Sequence, residues 1–181
     1  MGNIILITGP SGSGKSTLAR IFEEKYGVKE IVSHATRQPR FNEVNGINYH
    51  FVTREEFENT PMVETVEYDG NFYGTSVKDI EEALSSDKPC CVVAELEGCR
   101  KLKEFCGKDN VYQVFIYADL PVLKKRMLNR GDSKEESKRR LELYERDMQP
   151  LKESDYRILN HGMTSTLETA TRLIAKKVST I

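Results

Sequence analysis

Residues 3–20 read Asn3-Ile4-Ile5-Leu6-Ile7-Thr8-Gly9-Pro10-Ser11-Gly12-Ser13-Gly14-Lys15-Ser16-Thr17-Leu18-Ala19-Arg20. An apolar run suited to a buried strand empties into a glycine-rich turn, and a helical pattern follows at once. Gly9 to Ser16 satisfies G-x-x-x-x-G-K-[ST], the phosphate-binding loop. Its glycines let successive backbone N–H groups curl around an anion with no Cβ in the way. The helix opening near Gly14 adds unpaired N–H groups and a positive dipole end. Lys15 has the reach for the β- and γ-phosphates, and the Ser16 hydroxyl is of the type that ligates magnesium. A glycine-rich turn that holds no ligand is the competing reading. Strand before and helix after favour a nucleoside triphosphate site.

Outward from this stretch, 181 residues suit one domain with a sizeable core. Net charge is −1, which provides no long-range positive field to recruit nucleic acid. No apolar run reaches the length of a membrane span, and the start of the chain runs directly into the first strand. Membrane and nucleic acid are therefore not expected as partners, and no leader is expected. Cys90, Cys91, Cys99 and Cys106 lack paired C-x-x-C spacing, so we expect reduced core thiols in a cytoplasmic protein.

Leu18, Ile21 and Phe22 form an apolar stripe on the first helix, and Gly27 sits where it should stop. Lys29–Val32 is a short strand candidate, and 33–40 is expected as a loop around Pro39. Tyr49–Val52 alternates as a strand, Thr53 to Glu56 is a capping box, and 63–73 with Asp69-Gly70 is a hairpin. Ser76 should cap a helix through Ile80 and Leu84. Cys90–Leu96 and Val111–Tyr117 are buried strands with a short helix, Gly98–Phe105, between them. Pro121 opens a helix to Asn129; 130–137 breaks the pattern; 138–148 is strongly helical and ended by Pro150. Tyr156–Leu159 is a last strand, and Leu167–Val178 a closing helix. Strands alternating with helices imply a doubly wound parallel α/β sheet.

Five segments then carry a resemblance. Gly9–Thr17, Thr36–Arg40 (TRQPR), Glu43-Val44-Asn45-Gly46 with Tyr49, Tyr73-Gly74-Thr75, and Leu123–Gly131 with Glu135-Glu136 together resemble guanylate kinase, a P-loop nucleoside monophosphate kinase family. They occur in that family's order over nearly the full chain. The resemblance implies a single domain, 1–181. Its core is 1–32, 76–125 and 149–181, its small mostly β GMP-binding insertion 33–75, and its helical lid about 126–148.

It implies magnesium-dependent transfer of the ATP γ-phosphate to GMP, with dGMP as a further acceptor. ATP would be held by Gly9, Pro10, Ser11, Gly12, Ser13, Gly14, Lys15, Ser16 and Thr17, with Asn160 on the adenine side. Arg37, Arg40, Tyr49 and Tyr73 would hold the acceptor phosphate; guanidinium forks and hydroxyls are suited to it. Ser33, Glu64 and Thr75 would select guanine. A carboxylate accepts from both N1–H and the N2 amino group while a hydroxyl donates to O6, and sites of this kind reject the wrong analogue by about 10⁴.

Arg126, Arg130 and Arg140 would be the lid's phosphate clamps, with Arg139 the rival of Arg140. Phosphoryl transfer asks for such positive charge, not for a protein nucleophile. Lys15, Arg37 and these three arginines form the catalytic set. The chain departs from the family at Val93-Ala94-Glu95-Leu96-Glu97-Gly98, where an Asp-x-Asp-x-x-Gly pattern is usual. Glu95 matches the second acid and Val93 the first; Glu95 would organise magnesium-bound water or touch the guanine amino group.

Ser-His-Ala before Thr36 is a second departure, and His161 replaces an acid after Asn160. Two readings compete. One is a kinase of this fold with another small phosphorylated acceptor, such as ribose 1,5-bisphosphate. The other is a non-catalytic domain of the same likeness that binds proteins. Neither the sequence nor the resemblance separates a monomer from a homo-oligomer.

Overall fold

The computed structural model describes residues 4–68, 70–162, 167, 168, 170–172 and 174. Asn3, Asp69 and part of the expected closing helix 167–178 lie outside the described residues; 167, 168, 170–172 and 174 are helical.

In chain order the elements are β1 (Ile4–Thr8), α1 (Lys15–Tyr26), β2 (Lys29–Glu30), β3 (His34–Ala35), β4 (His50–Phe51), α2 (Arg54–Asn59), β5 (Met62–Tyr68), β6 (Asn71–Ser76) and α3 (Val77–Leu84). They continue with β7 (Cys90–Val93), α4 (Leu96–Cys106), β8 (Val111–Tyr117), α5 (Leu120–Asn129), α6 (Lys134–Glu142), α7 (Tyr144–Asp147) and β9 (Tyr156–Leu159). Five strands form a parallel sheet in the order β2-β7-β1-β8-β9.

β1 is buried along its whole length because both faces are covered. Ile5 and Ile7 face α1 and the closing helix, packing on Leu18, Phe22, Leu167 and Ile174. Ile4 and Leu6 face the other way onto Ile80, Cys99 and Leu102 of α3 and α4. Period-two alternation in one strand thus feeds two cores. All four cysteines are buried and unpaired; burial pushes Cys99 up to about 12 and Cys106 up to about 11.

Register decides where chemistry collects. Ile7 pairs with Val93, Thr8 with Phe115, and Tyr117 with Leu159. The chain leaving β1, β7, β8 and β9 therefore emerges on one edge, and ligands of such sheets sit outside the strands' carboxyl ends. A second sheet, β4-β3-β6-β5, stands apart, with antiparallel β3/β6 and β5/β6 pairs and a parallel β3/β4 pair.

Five sequence expectations need correction. The 33–40 loop contains β3, two residues pinned between β4 and β6. The strand expected to Leu96 stops at Val93, since Glu95 turns extended (φ −77°, ψ 170°) as the N-cap of α4. That helix accordingly runs Leu96–Cys106 rather than Gly98–Phe105. The break expected over 130–137 ends at Ser133, whose hydroxyl and Glu136 make a capping box that starts α6 at Lys134. The helix expected over 138–148 is interrupted at Leu143, and Pro150 opens a 3₁₀ turn at 149–152.

Candidate active site

The loop from Gly9 to Gly14 is shaped by neighbours that tolerate no side chain. Gly9 has φ +145°, and a Cβ there would fall 1.9 Å from the Ile116 carbonyl oxygen. Gly14 has φ +108°, and a Cβ would meet the Asn160 amide nitrogen at 2.7 Å. Glycine is required at both for conformation and for space. The Lys15 ammonium bends back over the loop, donating to the Gly9 carbonyl at 2.6 Å and the Pro10 carbonyl at 3.3 Å. Ser16 and Thr17, on the first turn of α1, are exposed.

Asn160, at the end of β9, is buried beneath the loop. Its amide donates to the Ser13 carbonyl at 2.8 Å, and its side-chain oxygen accepts from Gly162 N–H at 3.0 Å. Arg126 of α5 joins it, reaching the Gly12 and Ser13 carbonyls at 3.3 Å and the Asn160 carbonyl at 3.0 Å. Burial lowers the pKa of Arg126. Both amide atoms of Asn160 are thus engaged with the loop and its surroundings.

Across the edge, the second sheet brings Ser33, Thr75 and Glu64 together. The Thr75 hydroxyl donates to Glu64 Oε1 at 3.0 Å and lies 3.2 Å from the Ser33 hydroxyl. Glu64 is 5% exposed. Burial raises its pKa, partly offset by the Thr75 hydrogen bond. Gly98 of α4 makes the enclosure: a Cβ there would fall 2.8 Å from Glu64 Oε2.

Arg37 lies over the Tyr49 ring at 5.1 Å, and the Tyr49 and Tyr73 rings meet edge-on at 5.8 Å. Burial raises Tyr49 to about 12, so its hydroxyl keeps its proton and remains a donor. Arg37 makes a bidentate pair with Glu43, which also accepts from Arg40 N–H at 2.8 Å and stands 3.7 Å from the Arg40 guanidinium. Burial would lower the Arg37 pKa, but Glu43 raises it overall.

The remaining arginines meet at Asp132, whose side chain is 2% exposed. Arg130 binds it through Nε at 3.0 Å and Nη2 at 2.6 Å, and Arg140 approaches to 3.6 Å. Burial opposes ionisation of Asp132, but the two guanidiniums outweigh it and lower the pKa. Arg140 points inward, with its guanidinium 5.7 Å from the Tyr68 ring, whereas Arg139 is exposed. Arg126 turns toward the loop carbonyls, while Arg130 caps the end of α5 and holds Asp132.

Four residues here were not singled out from sequence. Glu43 was visible only as a member of a motif, six residues after Arg37. Asp132 sits two after Arg130 in a charged run. Asp147 is a lone acid among charges, yet it is buried near Glu95 and Lys15, and burial raises it to about 6. Tyr68 reads as ordinary hairpin strand. Asp147 and Tyr68 carried no local signal, because their roles arise from tertiary packing.

A phosphate-binding loop on a parallel five-stranded sheet, facing a second sheet that gathers arginines, tyrosines and a buried carboxylate, defines a P-loop phosphotransferase acting on a small phosphorylated acceptor. The comparisons narrow the class. The family model for guanylate kinase matches residues 1–177. A guanylate kinase of Synechocystis sp. is 33% identical over 97% of this chain and 95% of that protein. One of Lactococcus lactis is 36% identical over 96% of this chain and 87% of that protein. The crystal structure of guanylate kinase from Anaplasma phagocytophilum matches with TM-score 0.76 and 26% identity, covering 97% of this chain and 86% of that one. This chain belongs to the guanylate kinase family.

Proposed function

We propose that the protein transfers the γ-phosphate of ATP to GMP, giving ADP and GDP, and accepts dGMP as well. The observation that carries the acceptor is the buried Ser33–Thr75–Glu64 array. A carboxylate with 5% exposure and one hydroxyl partner has acceptor capacity left over, and guanine's N1–H and N2 amino group match it. Adenine lacks that donor pair and would leave the carboxylate unmet. A sugar bisphosphate would leave the whole array unused, which disfavours the ribose 1,5-bisphosphate reading. The intact phosphate loop disfavours a non-catalytic interaction domain.

The donor phosphates lie on the loop amides of Gly9 to Thr17, with Lys15 turning from the Gly9 carbonyl toward the β- and γ-oxygens. Arg126 and Asn160 hold that loop rigid from behind. Arg37, Arg40, Tyr49 and Tyr73 take the acceptor phosphate, which displaces Glu43 from the arginines. Residues 126–148 act as the lid over the core, with 33–75 as the acceptor region. Arg130 and Arg140 lie on the lid, next to the path of the transferring group. Water is excluded and charge neutralised; no side chain forms a covalent intermediate.

Among the described residues no three His, Cys, Asp or Glu side chains form a metal cluster. That fits magnesium, which keeps its waters and takes phosphate oxygens plus few protein ligands. Ser16 would supply a hydroxyl, and Glu95 would hold a metal-bound water; when bound, the ion neutralises charge on the β- and γ-oxygens. No described helix is long and apolar enough to cross a membrane. We place the enzyme in the cytoplasm, with its nucleotides. A coupled ADP-release assay with magnesium-ATP tests the reading, comparing GMP, dGMP, AMP, CMP, UMP and ribose 1,5-bisphosphate. GMP-dependent turnover is expected. Turnover with ribose 1,5-bisphosphate and none with GMP would refute the acceptor assignment.

A further inference from the structure

Two buried hydrogen-bond donors lie close together, neither making a hydrogen bond of normal length among the described residues. The Tyr68 hydroxyl and the Arg140 Nε each have no accessible surface and no hydrogen-bond partner among the described residues. They belong to different elements, β5 and α6, and the Arg140 guanidinium lies 5.7 Å from the Tyr68 ring centre. A buried donor left unpaired is costly and uncommon. Arg140 is already ion-paired through Nη1 with Asp132 at 3.6 Å, which leaves its Nε and the Tyr68 hydroxyl as two adjacent donors that an incoming anion would satisfy.

The position of Tyr68 says which anion. Glu64, Val66 and Tyr68 alternate onto one face of β5, so Tyr68 stands four residues from the guanine-selecting carboxylate on the same face. Its hydroxyl lies within the influence of Ser11 of the phosphate loop, which with Arg140 favours its ionised form, while Asp147 and Glu95 oppose it. It thus reaches from the acceptor sheet to the donor loop. Burial raises its pKa, with Arg140 opposing, so it stays a neutral donor at physiological pH. A donor nucleotide presents its terminal phosphate on the side from which the acceptor arrives. The α- and β-phosphates lie deeper along the loop.

Resting on the kinase reading above, we propose that the Tyr68 hydroxyl hydrogen-bonds the γ-phosphate of ATP, jointly with Arg140 Nε. Tyr68 is then a donor-binding residue contributed by the acceptor sheet. It distinguishes triphosphate from diphosphate at the loop and draws the two sheets together only when a transferable group is present.

Tyr68→Phe isolates the hydroxyl, keeping the ring and its contact with Arg140. Calorimetric titration of the full chain with magnesium and either ADP or a non-hydrolysable ATP analogue reads the effect. Loss of one hydrogen bond to a charged oxygen should weaken the analogue about tenfold and leave ADP within about twofold. The unfolding midpoint of the nucleotide-free variant should be unchanged or higher, because an unpaired buried hydroxyl is gone. An unchanged ratio of analogue to ADP affinity would overturn the proposal. So would a lowered midpoint with that ratio unchanged, which is what a merely structural tyrosine gives. Failure of the unaltered protein to bind the analogue would instead sink the kinase reading itself.

Discussion

Replacing Glu64 by glutamine separates what the carboxylate does for the ligand from what it costs the fold. The side chain is 5% exposed, takes one hydrogen bond from Thr75 at 3.0 Å, and is walled by Gly98 on the Oε2 side. Glutamine has the same shape, so the enclosure closes around it. It offers one acceptor and one NH₂ where guanine presents two donors. One charge-assisted bond, worth about 1.5–3 kcal/mol, is lost, and a donor is set against a donor at about 1–3 kcal/mol. Together these come to roughly 2.5–6 kcal/mol, or about 10²–10⁴ in kcat/KM for GMP.

Stability moves the other way. Burial raises the Glu64 pKa, so the ionised form is disfavoured in the folded protein, and a neutral amide is easier to bury. The nucleotide-free unfolding midpoint should therefore hold or rise. Steady-state assays with GMP varied at saturating ATP, and the reverse, give the two specificity constants; GMP against IMP, which lacks the 2-amino group, tests the base contact directly. The variant should narrow the GMP-to-IMP preference and leave KM for ATP within about twofold. Equal damage to both substrates, or an unchanged GMP-to-IMP ratio, would refute the placement of guanine on this carboxylate.

Three further substitutions probe separate parts of the geometry. Gly98→Ala puts a Cβ 2.8 Å from Glu64 Oε2 while improving helix propensity by about 0.5–1 kcal/mol, so KM for GMP should rise about tenfold in a protein no less stable; an unchanged KM would show that the carboxylate has room to give. Arg126→Lys removes a fork that bridges the Gly12, Ser13 and Asn160 carbonyls, and titration should show ATP affinity reduced about tenfold or more with GMP affinity intact; loss of both together would mean that the arginine supports the whole fold. Asp147 is raised to about 6, so the folded protein keeps its proton where the unfolded chain has lost it, and its stabilising contribution is present below about pH 4 and lost as pH rises through 6. Asp147→Asn should therefore be about as stable as the parent at about pH 4 or just below, pull ahead of it between about pH 4 and 6, and be more stable at pH 7–8 by up to about 3 kcal/mol; a constant difference across that range would refute it.

The layers of the fold were legible in the chain because local rules and global packing agree there. β8 and α5 fall where the apolar run and Pro121 put them, and Thr53–Glu56 forms the capping box that its spacing announces. Ser133–Glu136 forms one too, but the charged run around it hides the helix start that its spacing marks. The end of β7 is hidden in the sequence because Ala94 and Leu96 continue its apolar pattern, while the backbone turns at Glu95 to start α4. β3 is two residues long and exists only through pairing with β4 and β6, a tertiary fact with no periodicity. The phosphate loop and the arginines were visible as types at spacings. Their partners were not: Glu43 and Asp132 become meaningful only when the chain folds the arginines onto them.

Those partners bear on how the site binds. Arg37 rests on Glu43, Arg130 and Arg140 on Asp132, and Lys15 on the Gly9 carbonyl. None of these cations stands free, which agrees with a chain whose net charge of −1 gives no attractive field for anions at a distance. Binding is then an exchange, with a nucleotide phosphate taking the place of a carboxylate or carbonyl on a guanidinium or ammonium already held in place. A phosphate dianion wins that exchange over a monoanion, since it brings more charge and a third oxygen to the same fork. The carboxylates hold the side chains in position beforehand, which lowers the ordering cost on binding. Arginine suits this role where lysine would not: its planar fork can hand over one N–H pair to phosphate while the remaining donor keeps its grip on the protein.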